Sequence, residues 1–193
     1  MKQQETPPQE KIILAIVGMP GAGKSEAVAH VRQKGIPFVR FGDLTEEVAR
    51  EMGLPLNPDN ERTIREKLRK DLGMGAYAIK AEPKIAALLK TENIIAIDGL
   101  YSWEEYTYLK ERFPTLILMH IYAEPSLRYT RLAQRPVRPV PMEVSRKRDI
   151  TELENLNKGG PIALADHLIE NNGDISQLQQ QIDILLTRLG VTA

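Results

Sequence analysis

The sequence predicts an α/β domain in which a parallel sheet is flanked by helices, and three observations lead there. Short runs rich in branched apolar residues recur along the chain: "KIILAIVG" (11–18), "IPFVRF" (36–41), "NIIAIDG" (93–99) and "TLILMHIYA" (115–123). Their length marks them as strands, and their near-continuous apolarity marks strands covered on both faces. The segments between them have helical periodicity, and such alternation implies crossovers between parallel neighbours.

The elements follow in order. The first strand enters a glycine-rich turn, and "KSEAVAHVRQKG" leaves it as a helix stopped at Gly35. The second strand ends at Gly42-Asp43, with a helix expected from near Leu44. From Gly42 to about Thr91 runs a long crossover, read as more than one helix because "GLPLNPDN" (53–60) and "GMG" (73–75) interrupt it. A helical insertion there, over about 43–91, is placed to hold a second ligand above the C-terminal edge of the sheet. Ser102 is a natural cap for the helix "WEEYTYLKERF", and Pro136 a stop for the helix that follows the fourth strand. "DHLIEN" (166–171) is a weaker fifth strand. Ile175, Leu178, Ile182, Leu185 and Leu189 recur at helical spacing in a final helix capped by Asp174. The polar "MKQQETPPQE" reads as a mobile arm over 1–10, leaving 11–193 as one domain.

Bulk properties narrow the function. A chain of 193 residues suits one domain with a sizeable core. Lys+Arg and Asp+Glu each total 26, so no overall field recruits nucleic acid or an anionic membrane, and any anion site must be local. Cysteine is absent, which excludes disulfides and thiolate metal sites and fits a reducing compartment. No apolar stretch is long enough for a bilayer or shaped like a secretory signal, so a soluble, cytoplasmic protein is expected. The three histidines show no ligand spacing. Nothing in the sequence sets the oligomeric state.

Gly18-Met19-Pro20-Gly21-Ala22-Gly23-Lys24-Ser25 matches G-x-x-x-x-G-K-[ST], set between a buried strand and a helix. Glycines let backbone N–H groups converge on a phosphate, where the helix N-terminus adds partial positive charge. Lys24 is expected to bridge the β- and γ-phosphates and the Ser25 hydroxyl to ligate Mg²⁺, with Glu26 completing the nucleotide-binding set. The competing reading is a glycine-rich turn that matches by chance. The nucleotide expected is ATP or GTP.

A carboxylate at the end of a neighbouring strand is needed to hold Mg²⁺ beside the loop serine, and Asp98 stands there, followed by Gly99. The alternative, that Asp98 caps the next helix, competes with the better cap Ser102. A switch GTPase would show D-x-x-G and N-K-x-D, and an AAA-type motor a glutamate where Gly99 stands; these features are missing. Arg128, Arg131 and Arg135, spaced three and four apart, form a ladder along one expected helix face, with Arg138 beyond. Arg131 and Arg135 suit a lid over about 131–149 that brings cations to the transferring group and excludes water; the alternative is a solvated basic face. Arg146, Arg148 and Asp149 either touch phosphate or pair among themselves. Asp43 either orients an attacking acceptor group or caps its helix. Arg65 and Arg69, with Arg62, line one side of "NERTIREKLRKDL", facing an acceptor phosphate or simply solvent.

"GMPGAGKS", "GIPFVRFGDL", "IIAIDGLYSWEEY", "RLAQRPVRP" and "ALADHLIENNG" occur in an order that resembles the P-loop kinases of the adenylate kinase and dephospho-CoA kinase group. The likeness is strongest to adenylate kinase-related, dephospho-CoA kinase-like proteins found chiefly in archaea. It implies a three-layer P-loop kinase fold: a five-stranded parallel sheet in the order 2-3-1-4-5, a helical acceptor insertion after strand two and a short lid after strand four. It also implies that backbone near Asn171, Asn172 and Gly173 lines the adenine. The residues expected to face the acceptor are Asp43, Arg65, Arg69 and Gly99. Relatives often carry an arginine shortly after the Gly-Asp pair, where this chain has "LTEE".

The function expected is phosphoryl transfer from ATP to a nucleoside monophosphate or to dephospho-CoA. A nucleotide-dependent regulatory module without a small acceptor is the alternative of a different class. Phosphorylation of polynucleotide ends is disfavoured by the balanced charge.

Overall fold

In β1 (Ile12–Val17), Ile13, Ala15 and Val17 project into one apolar layer while Leu14 and Ile16 project into another. Both sets are almost fully shielded from water, which is why the run carries no polar alternation. β1 is the centre of a parallel sheet in the computed structural model, which describes residues 11–191. The expected arm over 1–10 lies outside the described residues. Around β1 stand β2 (Phe38–Arg40), β3 (Ile94–Asp98), β4 (Leu116–Tyr122) and β5 (His167–Glu170), in the order β2-β3-β1-β4-β5. Every pairing is parallel.

One layer holds α1 (Lys24–Gln33) and α9 (Ile175–Arg188), which pack Val31, Leu178, Ile182 and Leu185 against the sheet. Asp174 caps α9 by accepting from Gln177 N at 3.0 Å. The other layer is the crossover between β2 and β3, which forms three helices: α2 (Phe41–Glu51), α3 (Pro58–Leu72) and α4 (Ala76–Leu88). α5 (Trp103–Arg112) joins that layer, capped by a reciprocal Ser102–Glu105 box. Beyond β4 come α6 (Pro125–Ala133), α7 (Met142–Leu156) and the short α8 (Gly159–Ala163). No helix of the described residues is long and apolar enough to cross a membrane.

Two expected boundaries move. β2 covers three residues rather than six, and α2 starts directly at Phe41, so Gly42 and Asp43 lie in its first turn. Arg40, in extended conformation, occupies the N-cap position, and Asp43 is therefore not the cap. α6 ends at Ala133, short of Pro136, so Arg135 stands on the connecting loop rather than on a shared helix face.

Candidate functional site

The loop from Gly18 to Gly23 folds tightly, with Ala22 N donating to Met19 O at 3.2 Å. Gly21 and Gly23 adopt φ of 78° and 100°, in the region that favours glycine. A Cβ on Gly21 would lie 2.6 Å from Arg128 O, and one on Gly23 would collide with Asn171 Nδ2. The loop is braced on both flanks. Asn171 Nδ2 donates to Ala22 O at 2.8 Å, and Arg128 Nη1 donates to Pro20 O at 2.9 Å. Among the described residues no side chain caps the α1 N-terminus, an arrangement that suits an anion.

Lys24 donates to Gly18 O at 2.9 Å and Met19 O at 3.1 Å. Burial, reinforced by the nearby Lys158 ammonium, lowers its pKa to about 7, while Glu152 and Asp98 pull it upward. Asp98 lies beside Ile16 on one strand and Arg40 on the other. Its Oδ2 is 3.8 Å from Arg40 Nε, whose guanidinium also reaches Asp43 Oδ1 at 2.9 Å. Burial raises the Asp98 pKa despite Arg40 and Lys24, the mark of a carboxylate short of positive partners. Ser25 and Asp98 line the same cleft. Among the described residues no group of three or more His, Cys, Asp or Glu could hold a metal on its own. One hydroxyl and one carboxylate beside a phosphate cradle fit Mg²⁺, which takes few protein ligands and completes its shell with phosphate and water.

The cleft has a volume of about 760 Å³. Pro20, Gly21, Gly23, Lys24, Ser25 and Glu26 line its loop end, and Gly18, Met19 and Ala22 are not part of that lining. Asp98, Gly99, Arg65, Arg69, Tyr77 and Glu105 line it as well. Arg65 Nη1 lies 3.3 Å from Glu61 Oε2. Arg69 sits 5.9 Å over the Tyr77 ring, and its buried Nε has no hydrogen-bond partner among the described residues. The Tyr77 hydroxyl shares a 2.7 Å hydrogen bond with Thr45. Glu105 accepts from Tyr101 N and Ser102 N at 2.7 and 3.0 Å, yet burial lifts its pKa to about 7. Arg62 instead pairs with Glu66 on the solvent side.

Of the arginine ladder, Arg131 and Arg135 line the cleft, and Arg131 Nη1 donates to Asn171 O at 2.9 Å. Arg128 turns inward to a buried pair with Asp149. Two expected site residues outside the glycine-rich loop lie elsewhere. Asp43 is not part of the lining, because the early start of α2 turns its carboxylate towards Arg40; Gly42 and Thr45 line the cleft there. Asn172 also misses it, because its carboxamide accepts from Glu124 N at 2.9 Å and donates to Glu170 at 2.7 Å. Its neighbours Asn171 and Gly173 do line the cleft.

Arg40, Lys158 and Glu105 line the cleft without having been singled out in the sequence. Arg40 reads as an ordinary strand residue, and Lys158 lies in a glycine-flanked loop pattern. The S-x-x-E spacing of 102–105 announces a cap, but not that the capping carboxylate borders a cavity.

Comparison with known proteins agrees with this architecture. A family model described as an AAA domain matches residues 14–154. A UPF0200 protein of Thermococcus sibiricus is 36% identical over 184 residues, covering 93% of this chain and 96% of its own. One from Pyrococcus furiosus is 34% identical over 182 residues, covering 92% and 97%. Among solved structures, TT1252 from Thermus thermophilus aligns with a TM-score of 0.62 at 17% identity over 93% of this chain and 98% of that one. A shikimate kinase from Bacteroides thetaiotaomicron aligns at 0.56 and 17% over 93% and 98%, and a gluconokinase from Sinorhizobium meliloti at 0.53 and 16% over 94% of each. These structural likenesses concern the fold, whose five-stranded order is that of P-loop kinases. With the G-x-x-x-x-G-K-S loop, the strand-end carboxylate and the relatives in agreement, the chain belongs to the UPF0200 family, and its residues 14–154 form an AAA domain.

Proposed function

We propose that the protein transfers the γ-phosphoryl group of ATP, or of GTP, to a small nucleotide-like acceptor such as a nucleoside monophosphate or dephospho-CoA. One observation carries this: Lys24, Ser25, Asp98, Arg65 and Arg69 all line one cleft, so it offers a single space to two anionic molecules. Solved kinases of small molecules with this fold support the same direction.

In this account the loop amides and the α1 N-terminus hold the inner phosphates, and Lys24 leaves the Gly18 and Met19 carbonyls for the β- and γ-phosphates. Ser25 and Asp98 hold Mg²⁺, which supplies neutralisation of charge on the phosphates. Arg131 and Arg135 approach from the 131–149 segment, which serves as the lid. Arg65 and Arg69 anchor the acceptor anion. An acceptor oxygen bonds to the γ-phosphorus as the bond to the β–γ bridging oxygen breaks, releasing the nucleoside diphosphate. Asp43 acts at one remove, by steering Arg40 beside Asp98. Positioning and fixed charge do most of such a reaction.

The AAA domain match favours a second reading, nucleotide hydrolysis that switches a partner interface. Gly99 directly after Asp98 speaks against it, because no carboxylate stands there to activate water. A transfer assay separates the two: ATP and GTP are tested against each nucleoside monophosphate, deoxynucleotides and dephospho-CoA, with products identified by mass. A phosphorylated acceptor is expected. Slow hydrolysis that no acceptor accelerates would establish the switch.

A further inference from the structure

Lys158 is 4% exposed, yet its side chain borders the cleft. The chain delivers it there by a sharp reversal: Asn157 ends α7 in the left-handed region, with φ 48°, and anchors its Nδ2 on Glu104 Oε1 at 2.7 Å. Lys158 then opens α8 and points inward. Its Nζ lies 2.6 Å from Glu152 Oε2 and 4.6 Å from the centre of the Tyr101 ring.

A role confined to neutralising Glu152 explains this poorly. Arg148 already reaches Glu152 Oε1 at 3.0 Å, so the carboxylate has a cation without Lys158. Meanwhile Lys158 and Lys24 line the same cleft, so two like charges border one space. A buried ammonium facing a second, half-buried one across a cavity is costly unless an anion enters between them. Position along the cleft says which part of the anion. The loop amides suit the inner phosphates, whereas Tyr101 N is bonded to the Glu105 carboxyl, which feels the Arg69 guanidinium on the acceptor side of the cleft.

Building on the phosphoryl-transfer reading, we infer that Lys158 contacts the γ-phosphoryl group of the bound triphosphate from the β3 side of the cleft, with Glu152 holding its charge in place until the phosphate arrives. Lys158 thereby distinguishes a triphosphate from a diphosphate, and it meets the transferring group together with Lys24. The contact is a charge-assisted hydrogen bond, of the class that adds most when desolvated.

The test is calorimetric binding of ADP and of a β,γ-imido analogue of ATP, with Mg²⁺, to the full chain. The variants are Lys158→Met, Lys158→Arg and the double variant Lys158→Met/Glu152→Met, with thermal melting alongside. Lys158→Met should weaken the analogue by about 10- to 100-fold while ADP changes by less than about threefold. Lys158→Arg should keep most of the preference. Glu152 keeps Arg148 in the single variant, and the double variant removes both members of the Lys158–Glu152 pair, so it should show the same selective loss. Parallel weakening of both nucleotides, no weakening, or a double variant that regains the preference would each overturn the inference while leaving phosphoryl transfer intact. If the wild-type chain binds neither nucleotide, phosphoryl transfer falls, and the role of Lys158 with it.

Discussion

Arg128 meets Asp149 through both terminal nitrogens, at 3.1 and 2.6 Å, and the same Nη1 donates to Pro20 O at 2.9 Å. One buried guanidinium thus fastens α6, α7 and the glycine-rich loop together. The consequence for the proposed lid is that its far base, at Asp149, is pinned, leaving the loop between α6 and α7 as the part with freedom to close.

Breaking this pair leaves an uncompensated buried charge. Asp149→Leu should therefore lower the unfolding free energy by about 3–5 kcal/mol, whereas Arg128→Met combined with Asp149→Leu should cost clearly less than the two single changes added together. Urea unfolding of the four proteins checks this. Additive losses would mean that the two residues act independently.

Gly23 has no room for a side chain, since its φ is 100° and Asn171 closes over it. Gly23→Ala should cost about 1–3 kcal/mol of stability and loosen the loop. Asn171→Ala should preserve more of the fold but speed hydrogen exchange at the loop amides, because the bond to Ala22 O is lost. Unchanged exchange in Asn171→Ala would show that the loop holds its shape alone.

Asp98 and Asp43 both lie beside Arg40, but only Asp98 borders the cleft. Asp98→Asn should reduce phosphoryl transfer by about 100-fold or more, and Asp43→Asn by less than about tenfold. Initial rates across a Mg²⁺ titration test the ranking, and the reverse order would reassign the metal-holding carboxylate.

Glu105 gives a pH signature. Burial raises its pKa from the ordinary glutamate value of 4.5 to about 7. Between these values the folded chain holds a proton that the unfolded chain releases, so this group's contribution to stability falls as pH rises from about 4.5 to 7. Glu105→Gln stays neutral and should flatten that part of the profile, by about 1–3 kcal/mol between about pH 5 and 7.5. Denaturant melts at several pH values measure it. A variant whose slope equals the wild type's would show that Glu105 ionises as freely when folded.

The sheet was legible in the sequence because a strand covered on both faces leaves a compact apolar signature, and β1, β3 and β4 carry it plainly. Ser102 and Asp174 were legible as caps because capping is local. The loop motif was legible because its glycines answer to backbone geometry. Asp43 was misjudged because the start of α2 depends on where the edge strand β2 stops pairing with β3, which no local pattern records. Arg128 read like Arg131, since helical spacing gives a face but not what lies opposite; Asp149, distant in sequence, decides that Arg128 turns inward. Lys158 was invisible for the same reason, its direction being set by the left-handed turn at Asn157 and the distant Glu104.

The central claim is that Lys24 and its loop hold a triphosphate whose outer phosphoryl group passes to a second molecule in the same cleft. The direct measurement uses ATP carrying heavy oxygen in its γ-phosphoryl group, incubated with candidate acceptors and either the wild-type chain or Lys24→Ala, with all products weighed by mass spectrometry. Labelled phosphate should appear covalently on an acceptor with the wild type, and fall by several orders of magnitude in Lys24→Ala while the variant remains folded. Label found only in inorganic phosphate, or transferred equally well by Lys24→Ala, would contradict the claim.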